Sequence, residues 1–274
     1  MCDSKQHPLR VLRAGAIWAL AALALALPRP GASFAAANDA IWSPTALTGK
    51  AGELPKARDI VRRAIDFVEA HDQVAFEALV TYEVVQENGQ KLQFDMLQRV
   101  AIQRPARIHW VTLHDNGATE TAWCSDGVFT LLREPANVWG RVNVPPMLSD
   151  AMLTISKDYG VAVPFVDLLS KDVGELWLGQ DVEWVNYIGE AWVEGQWTDH
   201  VALRRPGADV QLWFRKGDKP FPVKMSIVRT GDDGQPGFSA RFRMWSTRIP
   251  DGSIPKFVPP EGSEQVEVIP VTTP

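Results

Sequence analysis

Most of this chain is divided into short strand-like runs that are separated by turn dipeptides. The segment 103–138 shows the pattern clearly, because the pairs Asn116-Gly117 and Asp126-Gly127 interrupt its apolar and β-branched runs. Asn-Gly and Asp-Gly tolerate the positive φ angles that two-residue β-hairpins require. Consecutive hairpins place sequential strands side by side. The sequence therefore predicts an antiparallel meander, with strands at 107–115, 119–124, 128–133 and 138–144.

The same strand pattern continues on both sides of a helical insert. Apolar residues recur at helical spacing in 55–70 and again in 147–159, and a second short apolar piece follows at 163–169. Before the insert, further strands are predicted at 76–86 and 91–103. After it, strands are predicted at 182–188, 190–194, 198–204, 210–215, 223–230 and 238–245, with a last edge strand at 266–269.

These elements predict a mostly β (α+β) fold. A sheet of about ten antiparallel strands curls, and its concave face must be covered. We therefore expect a long curved antiparallel sheet, a half-barrel, with an N-terminal helix and a mid-chain helical lid on its concave face. The alternative is a sandwich of two sheets with the helices packed outside.

The N-terminus has the pattern of a secretory signal peptide. Basic residues precede an apolar run of 14 residues at 14–27, and small residues lead to a cleavage site near Ala35. The run is too short to span a bilayer comfortably, although a retained membrane anchor is the alternative. We expect a signal peptide at 1–35, an N-terminal arm at 36–54, one domain at 55–274, and a periplasmic location.

Charge and cysteine content limit the partners. Without residues 1–35 the chain has 24 Lys and Arg against 32 Asp and Glu, a net charge of −8. Nucleic acid is therefore not expected as a partner. Cys124 is the one cysteine after the predicted signal, so no disulfide can form within the mature chain. A small buried thiol is the expected state of Cys124.

The sequence has no pattern typical of a catalytic or metal site. It has no Gly-x-Ser-x-Gly turn, no His-Glu-x-x-His helix and no paired-cysteine spacing. Asp167 and Asp172 could form a carboxylate pair, but a helix-start acceptor and a solvated turn residue are the simpler interpretations. The histidines are scattered. We therefore predict no enzyme, no catalytic residue, no metal and no cofactor.

Several short motifs occur in the order found in one known family. They are Arg104-Pro105 with Trp110, Ser125-Asp126-Gly127 with Leu131 and Pro135, Pro164-Phe165 with Leu168-Leu169, and Phe257 with Pro259-Pro260-Glu261-Gly262. In these motifs the chain resembles the LolA/LolB lipoprotein-carrier superfamily over residues 54–268. The segments 211–213 and 220–224 resemble a branch of predicted periplasmic proteins of unknown function.

The resemblance implies a site between the sheet and the lid. In the carriers the matching arginine holds the lid closed through backbone hydrogen bonds, which makes Arg104 the candidate lid latch. An exposed arginine at a strand end is the alternative. Apolar residues on both sides of the interior are candidates to line a cavity for acyl chains, although they also suit plain packing of sheet against helix. They are Trp110, Trp123, Phe129, Leu131, Leu148, Met152 and Leu168.

The resemblance also implies the function. We expect a monomer that binds or transports a lipid or a lipid-modified protein without catalysis. Withdrawing an acyl methylene from water is favourable by about 0.8 kcal/mol, so a free acyl chain cannot readily cross an aqueous compartment and a closable apolar cavity would carry it. An inner- or outer-membrane protein is a possible partner. One alternative is an envelope-stress sensor or regulator that binds lipid and a membrane protein. Another is a polysaccharide-binding accessory protein, since tryptophan also stacks on sugars.

Overall fold

The fold consists mainly of β-strands. The computed structural model describes residues 11–12, 53–134, 136–163, 165, 178–179, 182–250 and 252–271. Within these ranges the helices are α1 (Glu53–Glu69) and α2 (Leu148–Tyr159). The strands are β1 (Val11–Leu12), β2 (Gln73–Val85), β3 (Lys91–Gln103), β4 (Arg107–His114), β5 (Thr119–Ser125), β6 (Val128–Arg133), β7 (Val138–Asn143), β8 (Trp184–Val193), β9 (Gln196–Arg205), β10 (Ala208–Arg215), β11 (Pro222–Val228), β12 (Gly237–Ser246), β13 (Glu264–Gln265) and β14 (Glu267–Val268).

Twelve of the described strands form one curved, open sheet. Their order is β13-β7-β6-β5-β4-β3-β2-β12-β11-β10-β9-β8, and only the β13–β7 pair is parallel. The strand β2 pairs with β12, with Tyr82 opposite Phe238, and this contact joins the strands before the insert to those after it. The predicted curved antiparallel sheet is therefore confirmed. The two-sheet sandwich is wrong, because both groups of strands share one sheet. Separately, β1 pairs with β14.

The predicted turn dipeptides form the hairpins. Gly89 and Gly117 have φ angles of +81°, and Asp126 and Gly127 have φ angles of +54° and +75°. In the Asn-Gly turns the asparagine side chain also accepts a backbone hydrogen bond, as from the Ala118 N–H at 2.9 Å. Positive φ at these positions matches the right-handed twist of the strands on either side. The meander from β2 to β7 follows from these local signals.

The helix α1 packs on the β8–β10 end of the sheet and is close to its predicted range of 55–70. Its contacts run mainly to β8, with fewer to β9 and β10. It buries one apolar stripe against these strands, as the helical spacing predicts. The stripe consists of Ala57, Ile60, Val61, Ala64, Ile65 and Val68.

The helix α2 matches the first part of the predicted lid. It buries Leu148, Ala151, Met152 and Ile155 in the main core, and Gly160 ends it in the left-handed conformation. Of the second predicted helical piece, only Val163 and Phe165 are described, and the rest lies outside the described residues. Among the helices described, none is long and apolar enough to cross a membrane.

Two predicted strand boundaries are wrong. The runs at 182–188 and 190–194 are one strand, β8, because a bulge between Tyr187 and Gly189 absorbs the irregularity that resembled a break. The predicted strand at 266–269 is shortened to β14, and β13, which was not predicted from the sequence, precedes it and pairs with a different strand. Gly140 on β7 permits the close approach of Val268 on β14, because a Cβ at position 140 would lie 2.4 Å from a methyl group of Val268.

Candidate functional site

The register of the sheet fixes which side chains share its helix-covered face. Along β4 and β6 this face carries Trp110, Phe129 and Leu131, which belong to the same buried core as Leu148 and Met152 of α2. The ring centroids of Trp110 and Phe129 are 5.8 Å apart. Five of the seven predicted lining residues are thus brought together as members of one buried core.

The other two predicted lining residues are not part of this group. Trp123 pairs with His109 and lies on the opposite face, where its ring centroid is 5.0 Å from that of Phe257. Phe257 also contacts Trp139 at 5.0 Å, so the C-terminal segment is packed over this outer face. Leu168 lies outside the described residues, as do Asp167 and Asp172.

Arg104 connects the end of β3 to the end of α1. Its side chain is buried, and its Nη1 donates a hydrogen bond of 2.6 Å to the carbonyl oxygen of His71, just beyond α1. Its backbone N–H donates to the Asp72 carbonyl at 2.8 Å. Burial lowers the pKa of Arg104, and the nearby carboxylates of Glu69 and Asp72 oppose this shift. The guanidinium therefore holds the turn between α1 and β2 in place.

The next residue, Pro105, contacts the predicted lid. Its carbonyl oxygen accepts a hydrogen bond of 2.9 Å from the backbone N–H of Leu148, the first residue of α2. The Arg104-Pro105 pair therefore lies where the end of α1 and the start of α2 both meet the sheet. The described side-chain bond of Arg104 runs to the α1 end, and its role as a lid latch stays a prediction.

A row of half-buried apolar side chains crosses the same face farther from Arg104. We call these five residues the outer row: Phe94, Tyr82, Phe238, Ile227 and Val210, from β3, β2, β12, β11 and β10. Each is directly opposite the next in the strand register. Large apolar side chains that stay partly open to solvent across five neighbouring strands form a surface that suits an apolar ligand.

One described residue of the lid segment reaches this surface. The ring of Phe165 lies 6.4 Å from that of Phe238 and 4.7 Å from that of Phe242, measured between centroids. It also contacts Phe76 at 5.6 Å. Phe165 therefore sits at the inner border of the outer row, where the segment after α2 meets β2 and β12.

A separate cleft of about 600 Å³ lies between α1 and β9. Six ionisable side chains line it, so burying an acyl chain there would desolvate charges. They are Lys56, Asp59, Arg62, Arg63, Asp66 and Asp199. The electrostatics of this cleft disfavour it as the apolar site, and the outer row is the better candidate.

Cys124 has the buried environment expected from the sequence. Burial raises the pKa of its thiol to about 11, and the Asp126 carboxylate adds to the rise. Only the thiolate attacks a disulfide reagent, so at pH 8 we expect Cys124 in a Cys2→Ser chain to react about a hundredfold slower than free cysteine. Ellman's reagent measures the rate. Urea should restore fast reaction, and fast labelling of the folded chain would contradict this burial.

The candidate acid–base and metal-binding groups are dispersed. In the described ranges, no cluster of three or more His, Cys, Asp or Glu side chains is placed to hold a metal ion. His71 bonds the Phe67 carbonyl at 2.7 Å, His109 packs on Trp123, and His200 stacks on Trp213. These contacts give three of the four histidines within the described ranges a structural setting.

A family model described as "Predicted periplasmic protein (DUF2092)" matches residues 57–269. The chain belongs to this family. The predicted branch of periplasmic proteins of unknown function is thereby confirmed, and so is the periplasmic location. Among curated proteins, none matches this DUF2092 chain.

Several solved structures are similar to this DUF2092 chain. The lipoprotein LppX of Mycobacterium tuberculosis is 14% identical with a TM-score of 0.47, over 71% of this chain and 97% of LppX. LprF from Mycobacterium bovis is 14% identical with a TM-score of 0.47, over 74% and 98% of the two chains. A chain of the MucA/MucB complex from Pseudomonas aeruginosa is 14% identical with a TM-score of 0.37, over 70% of this chain and 56% of that chain. Similarities this distant say nothing about the ligand.

Proposed function

We propose that this protein binds the acyl chain of a lipid or lipid-modified protein in the periplasm, without catalysis. The observation that carries the proposal is the outer row, a continuous apolar strip on the helix-covered face. Its members are only half buried, whereas Trp110, Phe129 and Leu131 on the same face belong to the buried core. Covering the strip with an acyl chain would remove apolar surface from water at about 25 cal/mol per Å².

The length of the strip supports an acyl chain as the ligand. Neighbouring strands lie about 4.8 Å apart, so the four steps from Phe94 to Val210 span about 19 Å. One leaflet of a bilayer's hydrocarbon core is about 15 Å thick, which approximates the reach of a membrane acyl chain. A single chain lying across the strands therefore fits the strip.

Replacing Ile227 with Asp should weaken acyl binding strongly. A carboxylate in the middle of the outer row has to be desolvated when a chain covers it, and the isoleucine contact of about 1.5–3 kcal/mol is lost. We expect at least about a tenfold rise in the Kd of a neutral fluorescent acyl probe, measured by titration of the folded protein.

Leu79→Asp is the matched control. Leu79 lies on β2 with 37% exposure, and its register places it on the opposite face of the sheet. The control should leave the Kd of the probe unchanged. Equal losses in both variants, or none in Ile227→Asp, would contradict the outer row as the binding surface.

Analysis of the protein purified from its own periplasm distinguishes the proposed function from the two alternatives. Native mass spectrometry of the protein purified from its own periplasm should reveal a co-purified lipid or acylated protein. A bound glycan without lipid would instead support the polysaccharide-binding alternative. A membrane protein captured by crosslinking would support the regulator. Processing near Ala35, which lies outside the described residues, is tested by the mass of the same sample.

A further inference from the structure

A row of polar side chains crosses the helix-covered face beside the outer row. It consists of Gln98 on β3, Thr112 on β4, Glu120 on β5 and Arg133 on β6, each opposite the next in the register. We call these four residues the polar ladder. They share a face with Trp110 and Phe129, so the ladder lies on the helix-covered face of the sheet.

The members of the polar ladder are connected in pairs. Gln98 Nε2 donates to Thr112 Oγ1 at 3.3 Å, and both residues are 5% exposed. Arg133 Nε lies 2.8 Å from Glu120 Oε1, and these side chains are 26% and 32% exposed. His114 Nε2 approaches the other Glu120 oxygen at 3.9 Å. The ladder therefore has a buried neutral end and a partly open charged end.

The ladder and the outer row make this face amphipathic. Gln98 and Phe94 are four residues apart on β3 and point to the same side, so the two rows are separated by about 13 Å, with Met96 between them. The polar ladder runs from β3 to β6, and the outer row runs from β3 in the other direction, across β2, β12, β11 and β10. A ligand that covers both has a polar part joined to an apolar chain.

We propose that the polar ladder binds the headgroup of a zwitterionic phospholipid whose acyl chain reaches the Phe94 end of the outer row. Arg133 would bind the phosphate, because a guanidinium has five N–H donors and serves a carboxylate and a phosphate oxygen together. Glu120 would bind the ammonium group. Gln98 and Thr112 would bond the ester oxygens nearer the chain. This inference rests on the proposed acyl-binding function.

The adjacent opposite charges select a zwitterion over an anion. A purely anionic headgroup at Arg133 lies beside the Glu120 carboxylate, and two like charges in a partly buried site repel. A phosphoethanolamine headgroup has one charge for each side chain. Wild-type protein should therefore bind phosphatidylethanolamine about tenfold more tightly than phosphatidylglycerol of the same acyl composition.

Two variants test the assignment by competition of each phospholipid against a neutral fluorescent acyl probe. Glu120→Gln should abolish the preference by tightening phosphatidylglycerol binding and weakening phosphatidylethanolamine binding. Arg133→Gln should weaken both phospholipids by about tenfold. In both variants the Kd of the neutral probe itself should stay within about twofold of wild type, since the outer row is intact.

The control is an equivalent ion pair on the other face. Arg99 Nε lies 2.8 Å from Glu77 Oε1 between β3 and β2, with side-chain exposures of 64% and 17%. Glu77→Gln and Arg99→Gln remove the same charges and should leave the phospholipid preference unchanged. If the wild-type protein binds the probe, but Glu120→Gln keeps the phospholipid preference and Arg133→Gln keeps the wild-type affinity for both phospholipids, the headgroup site alone is overturned. Wild-type protein that does not bind the probe overturns the proposed function itself.

Discussion

Replacing Phe129 with Ala is expected to lower the free energy of unfolding by about 3–5 kcal/mol. Phe129 is 2% exposed and packs on Trp110 in the core that α2 completes. The truncated side chain leaves a cavity whose lining loses its contacts, because the surrounding sheet and helix relax only partly. Urea denaturation followed by tryptophan fluorescence measures the loss, and an unchanged m-value verifies that the same surface unfolds.

The same variant tests whether Phe129 lines a ligand cavity, as the sequence suggests. If Phe129 borders an open cavity, truncation should cost little stability and should increase uptake of an acyl probe. If it is packed, stability falls and binding on the outer row stays unchanged. Leu113→Ala is the control, since Leu113 is 43% exposed on the opposite face of β4, and it should cost less than about 0.5 kcal/mol.

Local signals were sufficient to predict the strands and their hairpins. The turn at Asn116-Gly117 requires positive φ whatever the rest of the chain does, and the apolar stripe of α1 has to be buried somewhere. The pairing of β2 with β12 is different, because Tyr82 and Phe238 are more than 150 residues apart. A single curved sheet was predicted from the number of strands, but no local pattern encodes this contact, so neither the strand order nor the outer row could be derived from the sequence.

The candidate site shows the same division between local and long-range information. Trp110 and Trp123 are both large and apolar and lie in one hairpin, but side chains alternate between faces along a strand. Trp110 pairs with Ala122, and Trp123 pairs with His109, so the two tryptophans point to opposite faces. A shift of one residue in register reverses the assignment. Composition identified the aromatic residues, and only the register determined which of them meet.

Replacing Arg104 with Leu should lower the free energy of unfolding by about 2–4 kcal/mol and change the rate of acyl-probe uptake. The guanidinium bonds the His71 carbonyl at the end of α1, and a leucine leaves that buried acceptor without this donor. Because the adjacent Pro105 carbonyl bonds the first residue of α2, a loosened joint should also release α2 from the sheet. Chemical denaturation and stopped-flow probe fluorescence measure the two effects.

Arg107→Leu is the matched control for this joint. Arg107 lies three residues farther along, and its Nη2 also donates to a backbone carbonyl, that of Ile254 at 3.0 Å in the C-terminal segment. It should lose stability without altering the kinetics of the probe, because that segment is packed on the other face of the sheet. If Arg104→Leu also leaves uptake and release rates unchanged, Arg104 contributes only to stability. The latch inferred from the family resemblance would then have no counterpart in this chain.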